Sequence, residues 1–209
     1  MTKRYLLAAL FLVLPFMAGT NVSHAADFLM DLKAKAEKVT SIQSRFTQEK
    51  HLSMFDEVLI SEGSFAFQRP SSLRWEYTTP FKAGFLLTGN TGIEWDEAAQ
   101  TKREFSLKSS PIMAMVAQQI MAWTTFDIAW LKSRYDITRT GTAPTILDLR
   151  PKGEGARKML TRIIIRFAQD DTTIDSLELR EVDEDFTRIT FMDRAINTPL
   201  SDTLFTSVQ

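Results

Sequence analysis

The chain has 209 residues, 44% hydrophobic and 24% charged, with 25 basic against 26 acidic side chains, two histidines and no cysteine. Low hydrophobicity with a large charge imbalance would mean disorder, and a strong basic excess would point to nucleic acid. Neither holds, so a globular protein without a nucleic-acid role is expected. Disulfides and thiolate-bound metals are excluded, and two histidines against 15 phenylalanines favour binding over proton-transfer chemistry.

Lys3 and Arg4 precede an apolar run over 5–14, and Ser23-His24-Ala25 places small residues at both positions of a cleavage site. This is the pattern of a secretory signal peptide, and the run is too short for a comfortable membrane span. Residues 1–25 are therefore expected to be removed, leaving 26–209 as a single domain with 23 basic and 26 acidic side chains. With no cysteine at the processing site, the product is expected to be free of a lipid anchor. His51 would be its only imidazole.

From Asp27, Leu29, Leu32, Ala36 and Val39 recur at three- and four-residue steps, which predicts an amphipathic helix of about three turns with Asp27 at its start. The period changes to two from Ile42 to Lys50, a strand, and His51 follows in what reads as a solvated loop. Short strands are predicted at 63–69, 73–77, 85–88 and 93–95, the last two separated by Gly89-Asn90-Thr91-Gly92 as a hairpin turn. Ser110-Pro111 is a cap residue with proline at the first helical position. It opens a second helix running to about Trp123, in which Met113, Met115 and Met121 join the stripe of Ile112, Val116, Ile120 and Trp123. A shorter apolar segment with Phe126, Ile128, Trp130 and Leu131 follows. Strands resume at 135–138, 146–149, 163–167, 176–182 and 188–191, and the acidic run Glu181, Asp183, Glu184, Asp185 reads as a charged hairpin turn.

Many short strands joined by turns predict an antiparallel sheet curled toward a barrel, with helices packed on or inside it. A Met- and Trp-rich helix inserted between two runs of strands is either ordinary core or a movable lid, since methionine repacks around varied apolar contents. Catalytic signals are missing. His51 lacks a nucleophile elbow, no ligand cluster has metal spacing, and no glycine loop would cradle phosphate. No cofactor is expected, and the chain reads as a non-enzyme.

Phe46-x-Gln48, Gly63-x-Phe65-x-Phe67-Gln68-Arg69-Pro70, Leu73-Arg74-Trp75-x-Tyr77-x-x-Pro80, Leu86-Leu87-Thr88-Gly89 and Ile93-x-Trp95-Asp96 together resemble the LolA family of periplasmic outer-membrane lipoprotein carriers. The likeness continues through the Ser110-Pro111 insert to Asn197-x-Pro199-Leu200-x-Asp202-x-Leu204-Phe205. It implies a half-open antiparallel β-barrel closed by a helical lid, around an apolar cavity that carries acyl chains between the inner and outer membranes. The implied partners are acylated lipoprotein or other lipidated cargo, an inner-membrane ABC-type release complex and an outer-membrane acceptor. The implied location is the periplasm, and a monomer is expected.

The resemblance also implies that the arginine of the Arg-Pro motif, Arg69, bonds backbone carbonyls of the lid and latches it. Candidate cavity residues are Phe46, Phe65, Phe67, Leu73, Trp75, Leu87 and Trp95 from strands and Met113, Val116, Ile120 and Met121 from the lid. Each is equally compatible with closed core. The chain stops sooner after Leu204-Phe205 than is typical of these carriers, and loop 51–59 is longer and more apolar. A carrier of another acylated envelope molecule, such as a glycolipid, and a lipid-sensing regulatory domain on the same fold therefore stand as alternatives.

Overall fold

The computed structural model describes residues 23–208. The expected export segment lies almost wholly outside them. In chain order the elements are α1 (Ser23–Glu37), β1 (Ser41–His51), β2 (Leu59–Gln68), β3 (Ser72–Thr79), β4 (Ala83–Thr88), β5 (Thr91–Asp96), β6 (Thr101–Ser106), α2 (Pro111–Thr124), α3 (Ile128–Arg134), β7 (Tyr135–Thr142), β8 (Thr145–Pro151), α4 (Glu154–Arg157), β9 (Leu160–Phe167), β10 (Ile174–Glu181) and β11 (Phe186–Ile196), followed by a 3-10 turn at Asp202–Phe205.

All strands belong to one antiparallel sheet in the order β6-β5-β4-β3-β2-β1-β11-β10-β9-β8-β7. Each half is a meander, because hairpins place sequential strands side by side. The pairing of β1 with β11 joins the halves. Register shifts at Gln43/Arg45, Glu62/Gly63, Arg139/Gly141 and Ile174/Ser176 are bulges that bend and twist the strands. The sheet curls but does not close: β6 and β7 remain as its edges, and the segment carrying α2 and α3 runs from one to the other. This is the half-open barrel with a helical insert.

One face of the curl is the interior. Phe46, Phe65, Phe67, Leu73, Trp75 and Leu87 lie there with Phe191, Ile189, Leu177, Ile165 and Leu147, as the directly opposed pairs require. α1 packs Leu29, Leu32 and Ala36 against this core and Val39 follows just past its end, all four buried, as their spacing predicts. Gly63 is needed for close packing, since a Cβ there would sit 2.1 Å from the Glu76 carbonyl and 2.5 Å from the Phe46 ring. Gly89, at φ +61°, serves a turn of only two residues, with Thr91 and Gly92 already in β5.

Three expectations need correction, and one strand lies outside those predicted. α1 begins at Ser23, so Asp27 lies within the helix and does not cap it. β6, with the sequence Thr-Lys-Arg-Glu-Phe-Ser, carries little apolar alternation because it is a charged edge strand. His51 ends β1 and stacks on Phe186, ring centroids 4.1 Å apart, so it is not a loop residue. Ser110 precedes α2 without a side-chain capping bond.

Candidate lipid-binding cavity

α2 contains no charged residue, an unusual composition for a helix on a protein surface. Its Ala117 and Ile120 are buried against the interior of the barrel, while Ile112 and Met115 stay exposed at 71% and 62%. One side-chain bond ties the helix to the sheet's edge: the Gln119 amide nitrogen lies 2.9 Å from the Tyr135 hydroxyl at the start of β7. Burial pushes the Tyr135 phenol above its usual range against that bond and the nearby Arg134 charge.

Under α2 lies a cavity of about 490 Å³. This is within the range of about 300–1,000 Å³ typical of small-ligand sites. Its wall is mainly apolar: Trp75, Phe85, Leu179 and Ile189 from the sheet face Met113, Val116 and Ile120 from the helix. Ala83, Tyr135 and Leu160, the first residues of β4, β7 and β9, also line it, so the cavity reaches the rim formed by those strand ends. The same rim carries a concentration of exposed apolar side chains: Met54 and Phe55 between β1 and β2, Phe81 between β3 and β4, Met159 before β9 and Val182 after β10. A second, smaller void of about 40 Å³ lies toward α1, and Trp75, Ile120 and Trp123 line both.

The cavity floor is an aromatic cluster. Trp75 packs on Phe46 at 4.5 Å, on Phe65 at 5.7 Å and on Phe191 at 6.1 Å between ring centroids. Tyr77 donates to Gln48 Oε1 at 2.9 Å, and burial raises its phenol pKa despite the hydrogen bonds that oppose the shift.

Of the expected cavity residues, Trp75, Met113, Val116 and Ile120 line the larger cavity and Phe65 the smaller void. Phe46, Phe67, Leu73 and Leu87 face the same interior but are closed into core, at 2% exposure or less. Met121 packs against that core without lining either space. Trp95 lies on the opposite face, because Phe85 is paired with Glu94 and Gly84 with Trp95; there it is covered by the Arg74 guanidinium, 5.1 Å from its ring centroid.

Arg69 reaches helix backbone, but that of α1 and not α2. Its Nε donates to the Val39 carbonyl at 2.8 Å and its Nη2 to the Ala36 carbonyl at 3.0 Å. These lie at the C-terminal end of the helix, where Ala36 O also accepts from the Val39 amide at 3.1 Å and the dipole favours a cation. The buried Arg74 is a second anchoring arginine that sequence reading passed over. It bonds Glu76 at 2.8 Å and donates to the Leu204 and Ser207 carbonyls, holding the C-terminal segment on the outer face.

A half-open antiparallel barrel, an uncharged helix over its interior and an apolar cavity between them define the architecture, with no His/Cys/Asp/Glu metal cluster among the described residues. The chain belongs to the LolA family: residues 37–208 match the family described as "Outer membrane lipoprotein carrier protein LolA". It is 22% identical to an outer-membrane lipoprotein carrier protein of Pseudoalteromonas translucida, over 86% of this chain and 82% of that one. To the protein of the same name in Cupriavidus taiwanensis it is 27% identical, over 80% and 77%. The fold is similar to that of an uncharacterized conserved protein from Thermus thermophilus, with TM-score 0.56 and 9% identity over 88% of this chain and 94% of that one. In the Pseudomonas aeruginosa MucA/MucB complex structure the corresponding values are 0.50 and 14%, over 86% and 60%.

Proposed function

We propose that the protein is a periplasmic carrier that takes the acyl chains of lipoproteins into the cavity beneath α2 and moves them from the inner to the outer membrane. The observation that carries this reading is the apolar cavity of about 490 Å³, walled by the uncharged helix and reaching an open rim. An acyl chain of about fifteen methylenes carries roughly 12 kcal/mol of transfer free energy, at about 0.8 per methylene, and does not cross water unaided at a useful rate. A lid that yields to ligand shields the empty cavity from self-association. In this reading Arg69 latches the barrel by holding α1, Gln119 and Tyr135 hold α2, and an inner-membrane release complex and an outer-membrane acceptor engage the rim.

The test is to purify the protein from an envelope fraction and identify bound material by native and denaturing mass spectrometry. Co-purified acylated protein is the expected result. Glycolipid would replace lipoprotein as cargo, and failure to bind any apolar ligand would end the carrier reading. Transfer from inner-membrane vesicles to acceptor membranes separates a carrier from a lipid sensor.

A further inference from the structure

The small void toward α1 is chemically unlike the cavity beside it. Three of its lining residues hold buried polar atoms without a hydrogen-bond partner: Ser44 Oγ, Trp123 Nε1 and Thr173 Oγ1. Ser44 and Thr173 are 3% and 6% exposed, and Ser44 shares the interior face with its cross-strand partner Phe65. Buried polar groups are paired in nearly all cases, and an unpaired one costs about 1–3 kcal/mol. Three around one void of about 40 Å³ mark a place prepared for a polar group. That volume exceeds the 10–15 Å³ or so that one water requires.

We propose that this void is the subsite for the carbonyl of a neutral acyl ester or amide, with the hydrocarbon running past Trp75 and Ile120 into the larger cavity. The assignment rests on the carrier reading and adds to it a polar contact for the acyl group. The indole N–H only donates and both hydroxyls can donate, so the complementary ligand atom is one that accepts, as a carbonyl oxygen does. Among the described residues lining the void the one cation is Arg194, whose charge is paired with Asp175 through Nη1 at 2.9 Å, the same nitrogen donating to the Phe191 carbonyl at 2.9 Å. A carboxylate would therefore be buried without a free counter-charge, which disfavours a free fatty acid against an ester or amide. Trp75, Ile120 and Trp123 border both spaces, so the two adjoin and these are the side chains the chain would displace to run from one to the other.

Methyl palmitate carrying carbon-13 at its carbonyl, bound to the purified protein and read by infrared spectroscopy, tests this directly. The carbonyl band is expected at the hydrogen-bonded position in the wild type and at the unbonded position in the combined Ser44→Ala, Thr173→Val, Trp123→Phe variant. The variant's affinity for the ester should fall about tenfold or more, given net values of about 0.5–1.5 kcal/mol per neutral hydrogen bond. The Ser44→Ala, Thr173→Val double variant, which leaves the shared Trp123 in place, should keep its affinity for hexadecane, measured by displacement of a fluorescent acyl probe. An unbonded carbonyl in the bound wild type overturns the proposal while leaving the carrier reading intact, and does not depend on the variant folding. Failure of the wild type to bind both hexadecane and ester would instead overturn the carrier reading, and this subsite with it.

Discussion

The guanidinium of Arg69 donates to the Val39 carbonyl at 2.8 Å, so the turn that follows β2 holds the chain just where α1 passes into β1. A second bond to Ala36 makes the contact a two-point grip on the end of the helix. Arg69→Leu removes both donors and keeps the aliphatic stem. The fold should survive with a loss of about 1–3 kcal/mol, given the strength of hydrogen bonds to charged groups. Amide exchange should accelerate at Lys38 and Val39, which close the last turn of α1, while the β2 and β3 ladders stay protected. Unchanged exchange at those two amides would show that Arg69 does not hold the helix.

Val116 lines the larger cavity from α2, and tryptophan there fills part of the space assigned to acyl chains. The Val116→Trp protein should fold, with an overpacking cost of at most about 1–3 kcal/mol. Its affinity for a fluorescent acyl probe should drop about tenfold or more, corresponding to at least 1.4 kcal/mol. Full affinity in a folded variant would place the bound chain elsewhere.

Gly63→Ala should be among the most damaging small substitutions in the sheet, because the added methyl meets the fixed Glu76 carbonyl as well as the Phe46 ring. Shifting β3 away from β2 would disturb the ladder on which Trp75 is mounted. A loss of about 1–3 kcal/mol is expected in urea unfolding. Phe46→Leu in the same chain should recover only part of it, since the backbone collision remains.

The pH dependence of stability has an identifiable source on the outer face. Burial of Glu178 opposes its charge, but hydrogen bonds from Arg188 at 2.9 Å and Arg180 at 2.6 Å outweigh it and hold the carboxyl below its ordinary value of 4.5. A carboxyl with a depressed folded-state pKa contributes stability above its unfolded value and loses it as pH falls through the folded one. The wild type should therefore exceed Glu178→Gln in urea midpoint at neutral pH, and the gap should narrow progressively below pH 4.5. A gap of constant size down to strongly acidic pH would assign the effect to packing.

The sequence made the elements of this barrel largely readable because each signal was local. The spacing of Leu29, Leu32, Ala36 and Val39 specified the buried side of α1, and proline after Ser110 marked where α2 begins. β6 escaped notice because an exposed edge strand has no buried face to impose alternation. The wall of the cavity was harder to read. Phe65 and Phe67 share strand parity, yet only Phe65 lines a void, since the distinction depends on which interior positions α2 and α1 leave unfilled. Trp95 misled for a different reason: β3 to β5 are covered on both faces, by the barrel interior and by the segment that Arg74 pins. Apolar character therefore does not reveal which way a side chain points there. Ser44, Trp123 and Thr173 share no spacing at all, because three distant elements bring them to one void.

The unpaired seam between β6 and β7 determines how such a barrel can swell. Parting those edges breaks no backbone ladder, so the lining can spread to admit bulk without the rupture a closed barrel would suffer. The segment spanning the seam is tethered to the sheet at both ends, and the entropy of closing such a loop varies only slowly with its length. On the proposed function, reclosure would be a first-order event within a single chain, at a rate independent of protein concentration.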